Sequence, residues 1–193
     1  MIAGLILAAG ESSRMGTDKA LLIYRGRTFL EGIIAALNES GISRIVVVLG
    51  HHAEDIRRTV NLRGAEVVVN QNYSQGQTSS LQAGLQALIS PELEAILLCL
   101  VDHPAASAQT IRELIAGFRK SPSTVVIPTY RNQRGHPVLI ARALFDELLQ
   151  LGTEAGANSV IRRHRPQTSL IEVEDPGVLV DVDDPEAYQK LEQ

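Results

Sequence analysis

A single cysteine in 193 residues rules out an intramolecular disulfide. Cys99 lies inside the apolar run Ala95 to Val101, where a small buried hydrophobe fits better than a nucleophile or metal ligand. Long apolar stretches are missing as well: that run falls far short of a membrane span, so a soluble chain with no membrane partner is expected. No basic region precedes a long apolar stretch near Met1; no signal peptide is read, and a cytoplasmic location is the expectation. Positive charge is also short, 18 Lys and Arg against 22 Asp and Glu, for a formal charge of −4. That balance argues against general nucleic-acid binding, which needs clustered Lys and Arg to meet the phosphate backbone.

What is present is an ordinary globular composition, 45% hydrophobic and 21% charged, in a chain whose length suits one domain over residues 1–193. Apolar runs expected as strands cover Ile2 to Leu7, Arg44 to Gly50, Ala65 to Asn70, Ala95 to Val101 and Thr124 to Pro128, with late strands at Thr168 to Val173 and Val178 to Val182. Between them, spacings of three and four mark helices: one starts after Thr28 and ends near Gly41, one runs from Leu81 to Ile89, and one begins at Ser107. A short helix follows His51 and His52 through Val60, and two more are expected over Ala141 to Leu149 and Ser159 to His164. Such alternation predicts an α/β fold, a Rossmann-like three-layer αβα sandwich around a mainly parallel sheet.

Chemistry-bearing residues gather where strands end. After the first strand comes Leu7-Ala8-Ala9-Gly10-Glu11-Ser12-Ser13-Arg14-Met15-Gly16-Thr17-Asp18-Lys19, small residues with two glycines and two cations. Backbone N–H groups can converge on a phosphate there, with Arg14 and Lys19 supplying positive charge. It is neither a P-loop nor a dinucleotide fingerprint, since Thr17 follows Gly16 and Glu11-Ser12 follows Gly10. The loop Asn70 to Leu81 puts Gly76, Thr78, Ser79 and Ser80 at a helix start, where hydroxyls cap free N–H groups or those groups take a ligand. Asp102 ends the most apolar run, a position at which open sheets bind ligands and a carboxylate suits Mg²⁺. The cluster Arg162-Arg163-His164-Arg165 either meets an anion or forms a solvated helix end. Adjacent His51 and His52 lack the i, i+4 spacing of a helical metal pair and read as exposed at a strand end.

The first loop fills every fixed position of a signature of nucleotidyltransferases, and the chain from Leu5 to about Tyr188 resembles the MobA-like NTP transferase family. Ala9, the loop Gly76 to Leu81, Arg134-Gly135-His136-Pro137-Val138 and Asp181 to Glu186 are most similar to the branch of CTP:molybdopterin cytidylyltransferases, although Arg131 stands where the third of these usually begins with glycine. The resemblance implies a fold of the nucleotide-diphospho-sugar transferase type and transfer of CMP from CTP to the phosphate of molybdopterin, with release of pyrophosphate. It implies nucleotide contacts from Leu7, Ala8, Ala9 and Gly10, from Arg14 and Lys19, and from Gly76, Ser79 and Ser80. Arg14, Lys19 and Asp102 are then catalytic, Asp102 and Asp183 hold Mg²⁺ with Asp181 as the alternative, and Arg134, Gly135 and His136 face the acceptor. Asp184 reads as the cap of a helix starting at Pro185. The same residues leave open GTP or another NTP, a sugar or polyol phosphate as acceptor, and a non-catalytic nucleotide-binding module. Molybdopterin as acceptor further implies handover of the product to a molybdoenzyme or its chaperone.

Overall fold

In a computed structural model of the protein, residues 1–12, 15–121 and 123–191 are described. The organising element is β1 (Ile2–Ala8), buried along its whole length. Its side chains alternate between two cores: Ile2, Ile6 and Ala8 enter one, Ala3, Leu5 and Leu7 the other. Both neighbours, β4 (Ile45–Leu49) and β6 (Ala95–Leu100), run parallel to it. A strand covered on both faces needs an apolar side chain at every position, which is why β4 reads Ile-Val-Val-Val-Leu without a polar break. Beyond β4, β5 (Glu66–Val69) continues the parallel arrangement. On the other side of β6 lie β7 (Val125–Tyr130), carrying the two-residue β8 (Gln133–Arg134), the antiparallel β9 (Val138–Ala141) and β10 (Thr168–Glu172). The order across the sheet is β10-β7-β9-β6-β1-β4-β5.

Helices cover both faces. The first core receives Leu30, Ile33, Ile34 and Leu37 of α1 (Phe29–Glu39), Ile56 of α2 (Ala53–Thr59), and Ile111 and Leu114 of α4 (Ala108–Lys120). The second receives Leu81, Leu85 and Leu88 of α3 (Gln77–Leu88), Phe145 and Leu148 of α5 (Phe145–Leu149), and Val160 of α6 (Ala157–Arg163). The start of α1 is fixed by a capping box: the Thr28 hydroxyl accepts from Glu31 N at 3.2 Å and Glu31 Oε2 accepts from Thr28 N at 2.9 Å. A third, smaller cluster joins the hairpin β2 (Ile23–Tyr24) and β3 (Arg27–Thr28) to α7 (Pro185–Leu191) through Leu22, Phe29 and Val182. The Tyr188 hydroxyl donates to Ile23 O at 2.9 Å and accepts from Ile23 N at 3.2 Å, clasping the hairpin. Among the described residues no helix is long and apolar enough to cross a membrane.

Two expectations are corrected. Val178 to Val182 is not a strand: Pro176–Leu179 is a 3₁₀ turn started by Asp175, whose Oδ1 accepts from Gly177 N at 2.9 Å. The following residues bond to loops instead of a ladder, with His136 N donating to Val178 O and Val182 N to Asp102 O, both at 2.9 Å. Ala141 to Leu149 is not one helix either, because Ala141 ends β9, Arg142–Leu144 forms a 3₁₀ turn, and α5 starts only at Phe145. The first departure brings the 176–179 turn hard against β8: a Cβ on Gly135 would sit 2.3 Å from Val178 O, so only glycine allows the approach.

Candidate active site

The carboxyl ends of β1 and β6 open into a cavity of about 330 Å³. Leu7, Ala8, Ala9 and Gly10 supply one wall, and Tyr73, Gly76, Gln77 and Ser80 supply another. Its charged side chains are Lys19, Asp102, Asp183 and Asp18. Parallel strands that end together leave such a crevice, since each chain turns away to a helix on one face or the other.

Three separate segments converge on Lys19. The Ser12 hydroxyl accepts from Lys19 N at 3.1 Å, seating the start of the 3₁₀ turn Lys19–Leu21. Past the end of β6, Val101 N donates to Leu7 O at 3.1 Å, which sets Asp102 beside the first loop. The bond from Val182 N to Asp102 O then draws in Asp183, and Asp184 Oδ1 caps α7 by accepting from Ala187 N at 2.8 Å. As a result Lys19 Nζ lies 2.7 Å from Asp183 Oδ1 and 3.4 Å from Asp102 Oδ2, with the lysine side chain 11% exposed. Asp102 Oδ1 is buried with no hydrogen-bond partner. An orphaned carboxylate oxygen on a phosphate-sized cleft suits a hard divalent cation, so the donor set fits the expected metal.

Asp102 also borders a second group. One donor atom each from Asp102, His103 and Asp181 lies within 4.8 Å of the others, and His103 Nε2 is 4.0 Å from Asp181 Oδ1. Burial pushes the Asp181 carboxyl above its ordinary range; His103 opposes that rise, while Asp102 and Asp183 add to it. The His103 and His136 rings stack with centroids 4.3 Å apart, and Nδ1 of each is buried without a partner. Burial is the main reason His136 is pushed down to about 4, helped by His103 and opposed by Asp102, so His136 is a neutral group at pH 7. Neither His103 nor Asp181 lines the large cavity; His103 borders a small gap of about 10 Å³ with His136 and Pro137.

The second loop is held by Asn70, whose side-chain amide donates to Ser79 Oγ at 2.8 Å and to Ser80 Oγ at 3.0 Å. Ser79 Oγ in turn donates to Asn72 O or Gly76 O, at 2.9 and 2.8 Å. Ser79 is thus turned into the loop, whereas Gly76 and Ser80 reach the cavity wall. Gly76 has φ of +96°, which lets the chain turn sharply from the 3₁₀ segment Tyr73–Gln75 into α3.

A second cavity of about 320 Å³ adjoins the first, and Gln77 and Leu100 border both. Arg134, Gly135 and His136 lie on its wall, together with Asn158 and Arg162. The basic cluster divides: Arg162 reaches this cavity, while Arg163 Nε and His164 Nε2 each lie 2.7 Å from a carboxylate oxygen of Glu147. Of the residues expected at the site, Arg14 lies outside the described residues. Leu7 to Gly10, Lys19, Gly76, Ser80, Asp102 and Asp183 share the first cavity, and the residues 134–136 sit in the second.

Sequence reasoning did not single out Asp18, Tyr73, Gln77 or Ile56, all of which line the first cavity. Asp18 was discoverable as the neighbour of Lys19; its Oδ2 lies 2.8 Å from His52 Nδ1, and His51 Nδ1 is 3.4 Å from the Tyr73 hydroxyl. The paired histidines therefore support the cavity wall from outside.

Residues 4–168 match the model of the MobA-like NTP transferase domain. Nicotine blue oxidoreductase of Paenarthrobacter nicotinovorans is 33% identical over 98% of this chain and 96% of its own. A probable molybdenum cofactor guanylyltransferase of Opitutus terrae is 34% identical over 65% of this chain and 59% of its own length, and the molybdenum cofactor cytidylyltransferase of Escherichia coli K12 is 24% identical over 95% and 92%. The crystal structure of Rv0371c from Mycobacterium tuberculosis superposes with a TM-score of 0.88 at 31% identity, covering 99% of this chain and 96% of that one. A manganese complex of Rv0371c gives a TM-score of 0.84 at 29% identity over 99% and 97% of the two chains. The three-layer architecture is that of the nucleotide-diphospho-sugar transferases.

Proposed function

The chain belongs to the MobA-like NTP transferase family and is a nucleotidyltransferase; from that premise we propose that it transfers CMP from CTP to the phosphate of molybdopterin, releasing pyrophosphate. The observation that carries this reading is the Lys19 ammonium set between Asp102 and Asp183, on the wall of a cavity that both glycine-containing loops border. An acceptor phosphate oxygen attacks the α-phosphorus, a new P–O bond forms and the bond to the β-phosphate bridging oxygen breaks. Both reactants are anions, so the protein's task is to hold them together and offset charge, not to create a nucleophile.

Lys19 faces the triphosphate and counters the leaving group, with Arg14 proposed for the same role. The backbone of Ala8 to Gly10 wraps the phosphates, and Gly76 and Ser80 border the nucleoside. Ser79 acts by holding that loop in shape. His136, neutral at pH 7, orients the acceptor as a hydrogen-bonding group and takes no proton from a phosphate that is already ionised. Asp102 and Asp183 would hold a divalent cation, proposed as Mg²⁺; the orphaned Asp102 oxygen and the manganese complex of Rv0371c support a divalent ion. Bound there, a divalent ion supplies charge neutralisation to the phosphates. Asp183 is preferred to Asp181 because it borders the large cavity, where a metal can touch protein and triphosphate together. The reaction is assigned to the cytoplasm, and its product is passed to a molybdoenzyme or its chaperone.

Purified protein given Mg²⁺, molybdopterin and each NTP in turn should release pyrophosphate with CTP. Equal release with GTP, an alternative raised by the guanylyltransferase relative, removes the choice of base. Release with a sugar or polyol phosphate in place of the pterin removes the choice of acceptor. The oxidoreductase relative favours a second reading, two-electron redox chemistry on nicotine blue on the same scaffold, assayed as reduction of the dye by an added hydride donor that is itself oxidised. Loss of the dye's colour with no pyrophosphate from any NTP would support it, and nucleotide binding without turnover would mark a plain binding module.

A further inference from the structure

Residues 174–183 carry Asp183 to the site without a strand to guide them: β10 ends at Glu172, and the regular part of the segment is the 3₁₀ turn Pro176–Leu179. Backbone bonds tie it to its neighbours, with Val182 N donating to Asp102 O and His136 N to Val178 O, each at 2.9 Å. A further tie is the Asp175 carboxylate, which takes three donors at once. Its Oδ2 accepts from Ser107 N at 2.8 Å and from the Thr110 hydroxyl at 2.6 Å, and its Oδ1 accepts from Gly177 N at 2.9 Å. Thr110 is 1% exposed, and its hydroxyl, a donor to Asp175, accepts in turn from Ser107 Oγ at 3.2 Å. Burial acts to raise the Asp175 carboxyl, but the bonds from Thr110, Ser107 and Gly177 outweigh it and hold the group below its ordinary range. The turn also lies hard against the chain leaving Asp102, since a Cβ on Gly177 would come within 2.2 Å of Ala105 O.

Asp102 and Ser107 bracket one short loop, and Asp175 and Asp183 bracket the other. A single hydrogen bond between two such loops is a pivot: it sets a distance but leaves the carboxylates free to swing. Bonds at both ends fix the orientation as well, Val182 N to Asp102 O beside the site and Asp175 to Ser107 and Thr110 away from it. Asp175 lines neither large cavity, so it acts without touching substrate. Lys19 also binds Asp183, but through a flexible side chain that fixes no backbone. We propose that Asp175 is a positioning residue: by clamping the 176–179 turn to the start of α4, it holds Asp183 opposite Asp102 so that one divalent ion can touch both. The proposal rests on the reading that these two carboxylates bind the ion.

The probe is Mn²⁺ alone, titrated into the full chain without nucleotide and followed by the paramagnetic resonance of the free ion. An amide at position 175 offers one acceptor and two N–H donors, so in Asp175→Asn one end of the clamp sets donor against donor. The Kd for Mn²⁺ should rise about tenfold, the lower end of the range for groups that hold metal ligands in place. Thr110→Val should move it in the same direction, and Thr110→Ser should restore it. Leu93→Ala, a truncation of a buried side chain just before β6 at the opposite end of the sheet, is the comparison: it should lower Tm and leave Mn²⁺ binding at the native value. In turnover, the Mg²⁺ dependence of pyrophosphate release should shift to higher concentration in Asp175→Asn, with kcat at saturating Mg²⁺ retained. Native Mn²⁺ affinity in Asp175→Asn, or equal weakening in Leu93→Ala, would overturn the proposal. Should Asp175→Asn fail to fold, Thr110→Val decides, and native affinity there refutes the clamp. Unchanged affinity in Asp102→Asn would sink the metal reading and the clamp together, whereas weakening in Asp102→Asn but not in Asp175→Asn sinks the positioning role alone.

Discussion

Replacing Lys19 with Met should move metal affinity and turnover in opposite directions. The ammonium sits 2.7 Å from Asp183 and 3.4 Å from Asp102, where a divalent ion held by those carboxylates would have to displace it. The Asp183 side chain is 45% exposed and Asp102 27%, so solvent screens both pairs and each is worth about 1 kcal/mol. An entering cation is spared about 2 kcal/mol when the lysine is gone, and the Kd for Mn²⁺ should fall by about thirtyfold. Nucleotidyl transfer should lose the same ammonium as a charge donor, at a cost of about 3 kcal/mol or a hundredfold in rate. Mn²⁺ binding is measured without nucleotide, from the paramagnetic resonance of the free ion, and turnover as pyrophosphate release at saturating Mg²⁺. Asp102→Asn serves as the control that weakens metal in either case. Unchanged Mn²⁺ affinity in Lys19→Met would refute the reasoning, because the lysine pairs with both carboxylates proposed to hold the ion.

Three further outcomes follow from the same geometry. Burial holds His136 at about 4 against 6.5 for the free side chain, so the unfolded chain takes up a proton that the native one refuses as pH falls from about 6.5 to 4. Stability should be full above pH 6.5 and lower by about 2 kcal/mol from this group at pH 5, and His136→Gln should flatten that part of a melting-temperature profile against pH; identical profiles would discount it. The Cys99 thiol, 5% exposed and pushed up to about 12 by burial, should resist alkylation in the native protein at pH 8 and react once denatured. Gly135→Ala would force a Cβ to within 2.3 Å of Val178 O; a loss of about 2 kcal/mol and a Tm lower by roughly 4–8 °C are expected by calorimetry, whereas an unchanged Tm would mean the turn moves freely.

The central sheet was legible because burial on both faces writes itself into sequence as unbroken apolar runs, as in β1, β4 and β6. Thr28, Ser107 and Asp184 marked helix starts through their side-chain oxygens, and each accepts the backbone N–H expected of a cap. The antiparallel β9 escaped notice: its four residues follow directly on the His136-Pro137 element, and a four-residue run is too short to separate strand from helix by period. Val178 to Val182 misled for a related reason, since its valines alternate like a strand although Asp175 and Pro176 commit it to a turn. At the site, Lys19, Asp102 and Asp183 could be named from strand ends and resemblance, but their meeting depends on bonds between segments far apart in sequence, such as Val182 N to Asp102 O. Arg162 shows the same limit. Four consecutive basic residues look alike on paper, and only the position of Glu147 separates those it binds from the one that reaches the cavity.

Positional isotope labelling tests the proposed reaction most directly. The full chain is incubated with Mg²⁺, molybdopterin and CTP carrying ³²P at either the α or the γ position, and the label is followed into pyrophosphate and acceptor. Attack at the α-phosphorus predicts that α-label enters the pterin product while γ-label leaves wholly as pyrophosphate, with both lost in Asp102→Asn. Transfer of γ-label to the acceptor, or release of unlinked CMP that does not depend on the pterin, would contradict it.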